Sequence, residues 1–92
     1  MPKFGIDKEA RQLLYDTIKR TSSDEFVELI ESLMSSAELK DLSRRLMAAK
    51  YLKENSTYEE IADTMGMSES TINKIHFKTK GSPIINKLFK KD

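Results

Sequence analysis

Apolar side chains recur at spacings of three and four along nearly the whole chain, and no stretch alternates with period two for long enough to make a strand. The pattern predicts an all-α fold of six helices. A first helix, starting after Asp7, places Ala10, Leu13, Leu14 and Ile18 on one face and stops at Thr21-Ser22-Ser23. A second carries Phe26, Val27, Ile30, Leu33 and Met34. The third is the longest, reaching about Lys53, with Leu39, Leu42, Leu46, Ala49 and Leu52 turned inward before Asn55-Ser56 closes it. Two short helices then meet at Gly66, the second running from Glu69 to about Phe77. A last one shows an apolar face of Ile84, Ile85, Leu88 and Phe89.

The boundaries carry their own chemistry. Ser22 with Glu25, Ser35 with Glu38 and Thr57 with Glu60 share the capping-box spacing, in which hydroxyl and carboxylate satisfy orphan backbone donors at a helix start. Ser68 is placed to cap the fifth helix. Ser82 is placed to cap the sixth, with Pro83 at the first helical position, where its missing N–H costs nothing.

Ninety-two residues without a repeat or linker predict one domain over residues 1–92. A core of that size is modest, so burial against a second copy of the chain is an expected source of stability. Cysteine is absent and histidine occurs once, so neither a disulfide nor a metal cluster is expected, and no cofactor is evident. The N-terminal MPKFGIDKEARQ has no apolar signal-peptide core, and no segment approaches the roughly 18 apolar residues of a membrane span, which predicts a cytoplasmic protein.

The net charge of +1 conceals a split. Residues 73–92 hold six lysines against Asp92, a local +5, which leaves −4 on the rest of the chain. A basic end on an acidic scaffold fits a polyanion-binding region, and equally a solvated helix with a lysine face.

That basic end overlaps TYEEIADTMGMSESTINKIHFK, residues 57–78, which has the composition of a helix-turn-helix. Such a unit needs a bracing helix, a tight corner and a second helix whose outer face is free for a major groove. Ile61 and Met65 lie one turn apart on the brace, Ala62 is small where the second helix approaches, Gly66 supplies the corner, and Met67, Ile72 and Ile75 point inward. Ser68, Glu69, Ser70, Thr71, Asn73, Lys74 and Phe77 are left facing out. Asn73 could pair with both acceptor and donor of adenine, and Lys74 could donate to guanine. Thr57, Tyr58, Lys78 and Lys80 are candidates for phosphate contacts. An ordinary helical corner explains the apolar positions but does not require the glycine, the small alanine and the lysine-rich end together. His76 is a polar residue beside this face, Phe77 is expected to pack, and the five methionines are expected to fill core space.

Taken in order, LMSSAELKDLSRRLMAAKYL, STYEEIADTMGMSESTINK, a Gly-Ser-Pro break and a final helix resemble the Trp repressor family, and within it the YerC/YecD-like branch, over roughly residues 22–90. The resemblance implies an intertwined all-helical homodimer with one reading head per chain. Leu13, Leu14, Phe26, Ile30, Leu33, Leu42 and Leu46 would then form the shared core. It also implies a ligand pocket between the central and reading helices, where tryptophan is held by an arginine from each. Arg44 or Arg45 matches the first arginine. The second falls at Lys74 and the family's neighbouring glycine at Ile75, so a point charge replaces a planar fork and a branched side chain enters the cavity. These departures argue against tryptophan as corepressor, with any other effector unidentified.

The expected function is a sequence-specific DNA-binding transcriptional regulator, a repressor, acting as a homodimer on palindromic double-stranded DNA. A protein-interaction adaptor that docks an acidic component of the transcription machinery is the alternative. An enzyme is not expected, because no nucleophile, glycine cradle or metal set stands beside Glu59 and Glu60.

Overall fold

The computed structural model describes residues 4–89, so Lys90, Lys91 and Asp92 of the basic end lie outside the described residues. The described chain is all-helical, six helices with no strand: α1 Ile6–Arg20, α2 Ser23–Leu33, α3 Ser36–Lys53, α4 Tyr58–Met65, α5 Glu69–Thr79 and α6 Pro83–Phe89. Its contacts group into two units, Met1–Ser35 and Ser36–Asp92.

In the first unit, local signals set the helices. Gly5, at φ 80°, precedes α1, which starts at Ile6, earlier than the expected position after Asp7. Asp7 and Glu9 sit in its first turn and Lys19 and Arg20 in its last, each sign complementing the helix dipole. The capping box at α2 is complete. The Glu25 amide donates to Ser22 Oγ at 3.2 Å and the Ser22 amide donates to Glu25 Oε1 at 2.9 Å. Those two groups, the backbone N–H first and the hydroxyl second, hold the Glu25 carboxyl below its ordinary pKa.

The apolar faces of this unit differ from expectation. Neither α1 nor α2 contains a buried residue: Ile18 and Ile30 are half-buried, while Leu13, Leu14, Phe26, Val27 and Leu33 are exposed. Two short helices share only a narrow strip of surface, so periodicity marks an apolar face without burying it.

The second unit closes a core. Ala48, Ala49, Ile61, Met65, Ile72 and Ile75 are buried, and Tyr51, Leu52, Tyr58, Ala62, Met67 and Ile85 pack against them. Ile61 and Ile72 are essentially inaccessible, each worth about 1.5–3 kcal/mol of burial. On α3 the expected inward set shifts. The adjacent small residues Ala48 and Ala49 meet the α4–α5 pair, while Leu42 and Leu46 remain exposed and Leu39 and Leu52 are half-buried. Two alanines let the neighbouring backbones approach as leucines would not. Met65 and Met67 serve the core as expected, whereas Met47 is exposed. Ile84 and Leu88 of α6 are exposed too, with Ile85 inward.

Candidate nucleic-acid interface

The corner between α4 and α5 is built from residues whose types were legible in advance. The Thr57 hydroxyl caps α4, accepting from the Glu60 amide at 3.1 Å. The box there is incomplete: Thr57 Oγ1 donates to Glu60 Oε1 at 3.1 Å, so the carboxylate grips the hydroxyl and not the backbone amide at Thr57. Gly66 ends α4 at φ 62°, ψ 40°, a left-handed conformation that favours glycine. The amides of Gly66 and Met67 both donate to the Ala62 carbonyl, at 2.9 and 3.3 Å. Arg44, reaching across from α3, donates its guanidinium to the Met65 carbonyl. A cation at this helix C-terminus satisfies a carbonyl that α4 leaves without an amide and opposes the negative end of its dipole.

Met67 turns the chain inward, and Ser68 then caps α5, accepting from the Thr71 amide at 3.2 Å while its hydroxyl pairs with Thr71 Oγ1 at 2.9 Å. Ile72 and Ile75 anchor α5 to Ala48, Ala49, Ile61 and Met65, all buried as the pattern requires. Ser68, Glu69, Ser70, Thr71, Asn73 and Lys74 lie on the exposed side. Glu69 stands in the first turn of α5, where the dipole favours a carboxylate.

The expected phosphate contacts separate on inspection. Lys78 and Lys80 are exposed, and Lys80 Nζ sits 4.4 Å from the centre of the Phe77 ring. Phe77 is 63% exposed, facing out as its spacing predicts, with the His76 ring centred 6.2 Å away. Thr57 is exposed, with its hydroxyl held by Glu60. Tyr58 differs most from its expected role. Its half-buried ring packs on the core, and its hydroxyl lies 3.1 Å from Asn73 Oδ1 and 2.7 Å from His76 Nδ1, so its single proton is committed inside the protein. His76, half-buried, meets the Tyr58 ring edge-on with centroids 5.8 Å apart. Lys53 Nζ donates to the Lys80 carbonyl at 3.2 Å, a further cation at a helix end.

Of the four residues grouped as a ligand pocket, three come together. Arg45, Lys74 and Ile75 line a cleft of about 460 Å³ between α3, α5 and α6, whose floor includes Leu46, Ala49 and Ile85. Ile75 is buried and forms a wall without closing that space. Arg44 is not among the lining residues and is engaged at the α4–α5 corner. The Arg44, Lys53 and Tyr58 contacts join residues 15 to 27 positions apart, which local patterning does not signal. The adjacent pair Ala48-Ala49 was the one visible sign of close helix approach on α3.

Among the described residues no helix is long and apolar enough to cross a membrane. No group of His, Asp and Glu among them is placed to hold a metal ion. No curated protein and no solved structure matches this chain. The model of the Trp repressor protein family matches residues 9–88, which takes in all of α2 to α5 and nearly all of α1 and α6. The chain belongs to the Trp repressor family, whose members are DNA-binding transcription regulators.

Proposed function

We propose that the protein is a sequence-specific regulator of the YerC/YecD-like branch, a cytoplasmic repressor that binds palindromic double-stranded DNA as a homodimer. The observation that carries this reading is the polar, exposed face of α5, fixed from behind by Ile72 and Ile75 on a rigid corner. Ser68, Glu69, Ser70, Thr71, Asn73 and Lys74 read bases. Lys78, Lys80 and Thr57 hold phosphates, while Tyr58 acts through its neighbours.

The homodimer is supported by unpartnered apolar surface. Leu13 and Leu33 are each 65% exposed, and Leu42 and Leu46 nearly half, which is costly for a chain that must also remain dissolved. A twofold partner would cover them and place two heads about one helical turn apart, about 34–36 Å between half-site centres. Tryptophan is not the corepressor in this reading: Arg45 stays on the cleft, but Lys74 offers a point charge where a planar fork is needed and Ile75 stands where the family has a glycine.

Binding to duplex DNA at graded salt tests the division of labour. Lys78→Ala is expected to weaken all sequences alike and to lower the salt slope by about one unit, whereas Asn73→Ala relaxes preference at one base position. Equal losses on all duplexes for both variants would defeat it. A flat salt response, with tight binding to an acidic protein, would favour the adaptor.

A further inference from the structure

We infer that Tyr58 and His76 set the polarity of the Asn73 amide, so that Asn73 meets a bound duplex as a hydrogen-bond donor and selects guanine. The inference rests on the DNA-reading role of α5 proposed above and names what one of its side chains reads. The Tyr58 oxygen is within hydrogen-bond distance of two groups, Asn73 Oδ1 at 3.1 Å and His76 Nδ1 at 2.7 Å, and a hydroxyl has one proton to give. An amide oxygen only accepts, so that proton goes to Asn73. The contact with His76 must then use a hydrogen on Nδ1, received by the tyrosine oxygen. The three groups form a directed chain, His76 Nδ1–H to Tyr58 O–H to Asn73 Oδ1.

Packing holds the middle of this chain in place. The Tyr58 ring lies against the buried cluster and edge-on to the imidazole, so its hydroxyl cannot swing away from either partner without uncovering apolar surface. Asn73, by contrast, is exposed, and a free asparagine there would turn either end of its amide toward a base. Fixed as it is, Asn73 keeps its oxygen turned back toward α4 and presents its Nδ2 hydrogens.

That choice discriminates among bases. Adenine offers an acceptor beside a donor and is matched by an asparagine using both ends of its amide. Guanine offers two acceptors, N7 and O6, and needs only donors. With Oδ1 already bonded inside the protein, Asn73 favours guanine over adenine, in place of the adenine pairing that asparagine alone would suggest. Tyr58 and His76 are positioning residues in this scheme, since neither needs to touch DNA.

Two measurements test the proposal. His76 is the single histidine of the chain, so its ring nitrogens can be assigned without ambiguity by ¹⁵N NMR of the intact free protein. A hydrogen on Nδ1 is expected. A bare Nδ1 acting as acceptor, with the hydrogen on Nε2, would reverse the chain and overturn the inference. Separately, duplexes randomised at every position are selected with the wild type and with Asn73→Ala, Tyr58→Phe and His76→Phe, each checked for an unchanged melting profile. The position that loses preference in Asn73→Ala should be guanine in the wild type. In Tyr58→Phe its guanine-over-adenine ratio should fall about tenfold, the size of one lost bidentate distinction, with a smaller fall in His76→Phe. Adenine at that position, or a ratio untouched by Tyr58→Phe, would overturn the inference while leaving DNA reading intact. Enrichment of no sequence would remove the DNA reading and this inference with it.

Discussion

The two contact units use the same local devices and reach different ends. In the first, α2 has a complete capping box and α1 has charges matched to its dipole, yet neither helix buries a side chain. In the second, the caps are no better, with Glu60 failing to reach the Thr57 amide, but four helices enclose Ile61, Ile72, Ala48 and Ala49 almost completely. Caps therefore decide where helices begin, and enclosure by several elements decides whether a core forms. The proposed reading face lies where the enclosure is. A reading face must be held rigidly from behind, and α5 is backed by the core that α3 and α4 supply.

Truncations sharpen that contrast, and the largest effect is expected in the enclosed unit. Ile72→Ala removes a fully buried side chain and should cost about 2–5 kcal/mol in thermal or denaturant unfolding. The same change at Leu33, 65% exposed, should cost under about 0.5 kcal/mol at dilutions where the chain is monomeric. Its cost should grow with protein concentration if a second copy covers that face. A large loss at Leu33 independent of concentration would break the comparison.

The corner comes next. A Cβ on Gly66 would meet nothing within 4 Å, so Gly66→Ala isolates the backbone cost of φ 62°. About 1–2 kcal/mol is expected, with Gly66→Asn milder because asparagine tolerates the left-handed region. No change in unfolding for Gly66→Ala would mean the corner relaxes freely and does not fix α5.

In the first unit, Ser22→Ala should cost about 1 kcal/mol through the lost cap, read as reduced helicity and a lower melting point. The acid response is smaller and its direction is set. The folded-state pKa of Glu25 is lowered, so the stability it contributes is complete above the ordinary carboxylate pKa and is lost as pH falls through the lower folded value. Glu25→Gln should flatten that part of the stability-against-pH curve. An unaltered acid limb would show that the box does not persist in solution.

Much of this was legible in residue order. The six helices, the inward roles of Ile61, Met65, Ile72 and Ile75, the small Ala62 and the Gly66 turn all follow from spacing and residue size. What spacing could not give is which apolar faces find cover. Leu13, Leu14 and Phe26 have helical periodicity as good as that of Ile72, but periodicity describes one helix and burial depends on its neighbours. Polar pairings across the fold were hidden for a related reason. Arg44 on the Met65 carbonyl and Tyr58 between Asn73 and His76 join side chains whose separation in sequence carries no local signal. Both pairings lie at the candidate interface, where they settle which side chains are free to meet a ligand and which are already engaged.

If two α4–α5 heads read DNA as a pair, the purified protein should select bound duplexes from a random pool without added ligand and at recorded salt. The enriched sequence should be a palindrome whose half-site centres lie about one helical turn apart, with every position read by α5 inside the half-sites. A folded protein that enriches no sequence at low salt, or one that enriches a single unrepeated site, would contradict paired reading.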